Sequence, residues 1–298
     1  MASLTQQIAP SATWVDGGGA SPRQRPEAGP ADADCQIPKD RLAQFARSIE
    51  SEMVPRIMLE RGERLARPGS PTDAPPTRLA PVEITEFAAL VLAADRAATF
   101  RFIDRLRQRG MPLEDVYLEL LAPTARRLGD DWISDTLTFT EVTLGLWQLH
   151  HLLRHLSEAF HSEGTRVPAG FQVLLLPSPG EQHTFGLFMV AEFFRQSGWG
   201  VNSGPYASPG ELARMARGGF YSVVGFSVSR EDQLDSVARE IRNVRRASRN
   251  QSIGVMVGGR VFVEHPEFVR RVGADATAVD GREAVHQAQN LVTLKANY

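Results

Sequence analysis

Apolar positions along the chain follow two different periods. From residue 41 to about 163 they recur at helical spacing. Leu42, Phe45, Ile49 and Met53 predict a first helix over residues 41–59, with Pro55 kinking or ending it. Phe87, Leu90, Val91 and Ala94 form a second stripe, which Phe102, Ile103 and Leu106 extend to Gly110, a residue suited to ending a helix. A third helix is expected from Pro112 through Val116, Leu120 and Leu121 to Leu128-Gly129, bent at Pro123. A fourth is expected from Thr138 to His161, opened by the capping box Thr138-x-x-Glu141. Four helices of this kind predict a small bundle.

From residue 170 the period shortens. Phe171–Pro177, Tyr221–Ser227 and Ile253–Val257 are short aliphatic and β-branched runs, and weaker strands are expected near Trp199–Asn202 and Ala276–Val279. Helical segments alternate with them at Thr184–Arg195, Glu211–Arg217, Glu231–Ser248, Pro266–Val272 and Arg282–Leu294. Alternating β and α predicts a parallel sheet covered on both faces. The expected fold is therefore α/β: a four-helix-bundle cap followed by a flavodoxin-like, Rossmann-type domain with five parallel strands. The domain reading is a disordered tail over 1–40, a helical cap over 41–165 carrying a Pro-rich linker at 61–81, and a β/α domain over 170–298. Gly17-Gly18-Gly19 and several prolines define the tail, in which Trp14 is an isolated aromatic.

Composition narrows the function. The chain has 298 residues, a formal net charge of −2 and one cysteine. A near-neutral balance disfavours a dedicated nucleic-acid binder, which usually carries a basic face. The longest apolar runs, such as Phe87–Ala94, fall far short of the roughly 20 residues that cross a bilayer. No signal peptide is visible, no membrane association is expected, and a lone Cys35 suits a reducing cytoplasm.

In open α/β sheets ligands bind beyond the C-terminal strand ends. The polar and glycine-rich elements of this chain fall there. Glu181-Gln182-His183-Thr184-Phe185-Gly186 follows the first strand. Gly225-Phe226-Ser227-Val228-Ser229 ends the third, Val257-Gly258-Gly259 the fourth and Val279-Asp280-Gly281 the fifth. Glu181, two residues before His183, can hold one ring nitrogen and so fix the tautomer of a metal-bound imidazole. Gly186 leaves room for a bulky ligand at the start of the following helix. Ser227 and Ser229 can donate into a buried slot, and Gly258-Gly259 can let backbone approach a flat ligand. Thr184, Asp280 and Gly281 stand at the same level and complete this set.

Glu-x-His-x-x-Gly, then Ser-x-Ser, then Gly-Gly, on such a domain resembles the cobalamin-binding domain, whose pattern is Asp-x-His-x-x-Gly. The resemblance implies that His183 is the lower axial ligand of cobalt and Glu181 its orienting carboxylate. It also implies that Ser227, Ser229, Gly258 and Gly259 line the slot for the displaced nucleotide tail. This chain departs from the pattern by carrying Glu181 where most members have Asp. Leu128-Gly129-Asp130-Asp131-Trp132 is similar to the Leu-Gly-x-x-Trp element of the helical cap over the upper corrin face. On that resemblance Trp132, Phe139 and Val142 are the upper-face contacts. Cobalamin photoreceptors and corrinoid proteins place a Glu-His pair where this chain has Val142-Thr143.

Thr138–Gly145 and Gly180–Gly186 further resemble the AerR/PpaA group of cobalamin-binding anti-repressors of photosynthesis genes. That resemblance implies hydroxo- or adenosylcobalamin as cofactor and a PpsR/CrtJ-type repressor as partner, with DNA contacted mainly through the partner. It also implies relief of repression by light or ligand. The group admits haem as an alternative cofactor. His150, His151, His155 and His161 invite that reading, but a solvated or partly buried polar helix face is the favoured explanation of them. Enzymatic activity is disfavoured, because a (β/α)₈ barrel of about 250 residues has no room here. A corrinoid shuttle for a separate methyltransferase fits the length and is the alternative function. Arg242, Arg245, Arg246 and Arg249 form a basic stripe read as a solvated helix face.

Overall fold

The computed structural model describes residues 79–164 and 170–296. The tail, the expected helix at 41–59 and the linker up to residue 78 lie outside the described residues. The helical part consists of α1 (Pro81–Leu92), α2 (Arg96–Gln108), α3 (Leu113–Asp115), a π-helical stretch (Val116–Leu121), α4 (Ala122–Ile133) and α5 (Phe139–Ser162).

The apolar stripe from Phe87 to Leu106 is not one helix but two. The chain breaks at Ala94, whose φ is 54°, and restarts on Asp95, whose side chain accepts the Ala98 N–H at 2.9 Å. An aspartate at the N-cap can redirect a helix without interrupting its apolar face. Gly110 does end α2, with φ of 88°. The bend expected at Pro123 takes the form of the π stretch before it. There the Ala122 N–H reaches back five residues to the Tyr117 carbonyl. Pro123 then stands at the second position of α4, directly after the π stretch that interrupts the α-helical hydrogen bonding. The capping box is present: Thr138 Oγ1 accepts the Glu141 N–H, and Glu141 Oε2 accepts the Thr138 N–H at 2.8 Å.

The β/α part contains β1 (Gln172–Pro177), α6 (Phe185–Gln196), β2 (Gly200–Ser203), α7 (Pro209–Gly218), β3 (Val223–Ser227), a 3₁₀ turn (Glu231–Gln233) and α8 (Leu234–Ala247). It continues with β4 (Gly254–Gly258), α9 (Arg260–Glu264), α10 (Phe268–Val272), β5 (Ala276–Ala278) and α11 (Gly281–Ala296). The strands are parallel in the order β2-β1-β3-β4-β5. This is the flavodoxin-like order, with its switch point between β1 and β3. Register aligns the strand ends: Pro177 sits beside Ser227, Ser227 beside Gly258, and Gly258 beside Ala278. The short helix α9 has no counterpart in the apolar pattern.

Successive strand residues face opposite sides. Val173, Leu175, Val223 and Met256 share one core with α6, α11 and the helical part, while Leu174, Leu176, Val224 and Val255 share a second with α7 and α8. Tyr117 joins the first core across the seam. Its ring stacks on Phe160 at 4.2 Å and meets Phe193 of α6 edge-on at 6.2 Å. Arg282 of α11 fastens the same seam, donating to Glu114 and, at 3.0 Å, to Asp115. In the basic stripe, Arg245 of α8 is engaged with Asp275 at 2.9 Å, Arg242 and Arg246 of α8 are exposed, and Arg249 lies exposed beyond the end of the helix, off the expected helix face.

Candidate functional site

Beyond Pro177 the chain turns sharply. The Ser178 N–H donates to the Ser227 carbonyl at 2.9 Å, and the Ser178 carbonyl accepts the Glu181 N–H at 2.9 Å. This folds Glu181 back under the loop it belongs to. Its side chain is only 1% exposed, while that of His183 is 69% exposed. Glu181 Oε1 accepts the backbone N–H groups of Gln182 and His183 at 2.8 and 2.7 Å and lies 2.9 Å from His183 Nδ1. Oε2 accepts the Ser229 N–H at 2.6 Å, and Ser229 Oγ lies 3.2 Å from the same Nδ1.

Burial works to raise the Glu181 pKa. Hydrogen bonds from His183 and Ser229 more than offset it and hold the carboxyl at about 2. Glu181 is therefore an anion, and an anion facing Nδ1 makes that nitrogen the protonated one. The lone pair of the imidazole is then on Nε2, the arrangement of a metal-ligating histidine. The extra methylene of Glu181, relative to Asp, does not prevent the contact.

Beside this loop a cavity of about 190 Å³ opens against the sheet, between α6, α11 and the C-terminal ends of β3 and β4. Gly186, Leu187, Ser227, Gly258 and Val190 line it, so its wall is largely apolar. The two adjacent glycines serve different purposes. A Cβ on Gly258 would meet nothing closer than the Ala278 carbonyl at 3.7 Å, so this residue leaves space for something else. Gly259 has φ of 110°, and its Cβ would lie 2.0 Å from the Val228 carbonyl. It is required by the protein's own backbone. Asp280 likewise has a structural role, accepting the Glu283 N–H at 2.8 Å at the start of α11. Gly281 is buried where Phe193 packs on it.

Two hydroxyls flanking the loop are buried without a partner among the described residues, Ser178 Oγ and Thr184 Oγ1. Of the remaining candidates, Trp132 is 37% exposed and meets Phe139 edge-on at 6.5 Å, at the α4–α5 corner. Val142 has no open surface. It is 5% exposed within the helical core. The α5 histidines diverge. His150 is edge-on to Phe185 and Phe188, His151 meets Arg96, His155 lies on Phe100, and His161 Nε2 lies 2.9 Å from Glu192. Among the described residues no three His, Cys, Asp or Glu side chains gather as a metal cluster would require.

Residues 172–288 match the family model described as "B12 binding domain". They form a B12-binding domain. A Rhodobacter capsulatus relative, described as an uncharacterized 20.5 kDa protein in the bchF-crtJ intergenic region, is 27% identical over 177 residues. The match spans 59% of this chain and 92% of that protein. Among solved structures, the monomethylamine corrinoid protein of Methanosarcina barkeri aligns with a TM-score of 0.58 at 16% identity. It covers 71% of this chain and 100% of that one, a likeness of fold.

The B12-binding domain fits a corrinoid on its own residues. An exposed imidazole with Nε2 as acceptor can reach a metal whose other ligands the corrin ring supplies. The cavity suits a bicyclic base, since an apolar cavity of about 150 Å³ already takes up benzene. The unpartnered Ser178 and Thr184 hydroxyls stand ready for polar atoms of a ligand. Sequence reading missed Ser178, and it missed the helical residues Leu118, Ala122 and Arg126, which also line the cavity. Only tertiary packing brings those three to the sheet edge, so no local pattern marks them. Among the described residues no helix is long and apolar enough to cross a membrane.

Proposed function

We propose that the chain is a cobalamin-dependent regulator rather than an enzyme, acting on a PpsR/CrtJ-type repressor of photosynthesis genes. The observation that carries the cofactor half is Glu181 clamped between His183 Nδ1 and the Ser229 N–H, beside a cavity open at Gly258. In this reading His183 would hold the cobalt through Nε2, with Glu181 and Ser229 setting its tautomer. Ser227 and Gly258 border the slot for the nucleotide tail. Cobalamin supplies a cobalt centre whose upper ligand can be exchanged or photolysed. Trp132 and Phe139 border the upper side, and Val142 reaches it only if α4 and α5 repack. That repacking would be the signal in this proposal: α4 and α5 would pass between two arrangements with different affinity for the repressor.

The regulatory half is supported by the R. capsulatus relative, whose description places it between bchF and crtJ. It is also supported by Val142-Thr143 standing where corrinoid shuttles carry Glu-His. A methyl-carrying corrinoid protein is the second reading, favoured by the fold likeness to the M. barkeri protein. Co-precipitation with a PpsR-type repressor separates the two. The regulator predicts capture that changes between dark and illuminated samples and is lost in His183→Ala. Capture that is identical with and without corrinoid, or methyl transfer to a partner enzyme without capture, overturns it.

A further inference from the structure

Cobalamin carries a negative charge in its nucleotide loop, the phosphodiester that joins the base to the corrin. A slot that takes the base must leave this anion at its mouth. Among the described residues two charged ones line the cavity, Arg126 and Asp280. Asp280 is engaged at the start of α11 through the Glu283 N–H. Arg126 is exposed, and among the described residues it makes no ion pair or hydrogen bond. Its neighbour Arg127 behaves differently, reaching Thr85 at 3.1 Å and Asp131 at 3.5 Å. Arg126 instead shares a helix face with Ala122, four residues earlier, and both border the cavity. An unpaired guanidinium beside a mostly apolar slot has the chemistry for a phosphodiester, which it can meet with two parallel N–H donors.

We infer that Arg126 of α4 binds the phosphodiester of the nucleotide tail, and so makes the helical part a reader of the tail as well as a cover for the ring. This rests on the cobalamin reading above. It predicts discrimination between corrinoids with and without a nucleotide tail. It also ties α4, which ends at Trp132's turn, to the tail slot through one side chain.

The test titrates the full chain with cobalamin and with cobinamide, which lacks the nucleotide tail, for wild type, Arg126→Gln and Arg126→Lys. Arg126→Gln should weaken cobalamin about tenfold, the worth of one charge-assisted hydrogen bond at a half-open site. Cobinamide binding should be unchanged, which also reports that the variant folds. Arg126→Lys should recover part of the loss, and the salt dependence of cobalamin binding should flatten in Arg126→Gln. Equal weakening of both corrinoids, or of neither, overturns the inference while leaving His183 as ligand intact. If wild type binds neither corrinoid, the cobalamin reading fails first and this inference with it.

Discussion

His150 should make the seam between the helices and the B12-binding domain sensitive to acid. The residue is 6% exposed, Nδ1 has no partner among the described residues, and its ring meets Phe185 at 5.0 Å and Phe188 at 5.1 Å, edge-on to both. Burial pushes its pKa down to about 4. In the unfolded chain the ring titrates near 6.5. Between those values the unfolded chain takes up a proton that the folded one refuses. Stability is therefore complete above pH 6.5 and falls as the pH drops towards 4. Two to three units at about 1.4 kcal/mol each amount to about 3 kcal/mol. His150→Leu removes the titration and keeps an apolar group between the phenylalanines. Urea unfolding followed by circular dichroism at pH 7.5, 6.5, 5.5 and 4.5 measures the difference. The variant should gain on wild type by about 2.5 kcal/mol between pH 7.5 and 4.5, on top of a constant offset. A difference that does not change with pH would refute the reasoning, because it would mean the ring is hydrated or paired in solution.

Three substitutions separate structural from ligand-facing roles. Gly259→Ala should lower stability by about 2–5 kcal/mol, since it adds strain at positive φ to a clash with the Val228 carbonyl; thermal unfolding reads this directly. Gly258→Val should leave the melting temperature within a few degrees but fill the slot, lowering cobalamin affinity at least tenfold while cobinamide still binds. Glu181→Ala should cost about 10- to 100-fold in cobalamin affinity through loss of the imidazole's orientation, measured by absorbance titration; wild-type affinity in this variant would show that the Glu181 contact does not hold the ligand.

Much of the fold is legible in the sequence because its signals are local. The strands β1, β3 and β4 carry apolar residues on successive positions rather than alternating ones, the mark of strands buried on both faces. Thr138 and Glu141 announce α5, and Gly110 closes α2. The break at Ala94–Asp95 is hidden because the apolar face continues across it, leaving only the aspartate cap as a clue. The site is legible in part for the same reason. Glu181 and His183 are close in sequence, so their pairing follows from spacing, whereas Ser229 completes the group from another strand. Gly258 and Gly259 read alike as letters, yet one clears space and the other relieves a backbone clash. That difference depends on β3 lying next to β4. Arg126 and Ser178 carry no motif and become visible only once the helices pack against the sheet. Val142 stands apart: its position relative to Trp132 suggests an upper-face contact, and packing places it within the helical core, 5% exposed.

The account depends most directly on His183 holding a corrinoid. Absorbance spectra of the full chain reconstituted with hydroxocobalamin and with adenosylcobalamin, for wild type and His183→Ala, test this in one experiment. The account predicts that wild type retains corrinoid with a spectrum shifted by histidine ligation, and that His183→Ala loses the shift and most of the affinity. Retention with the same spectrum in His183→Ala, or a His183-dependent haem band with no corrinoid bound, would contradict it.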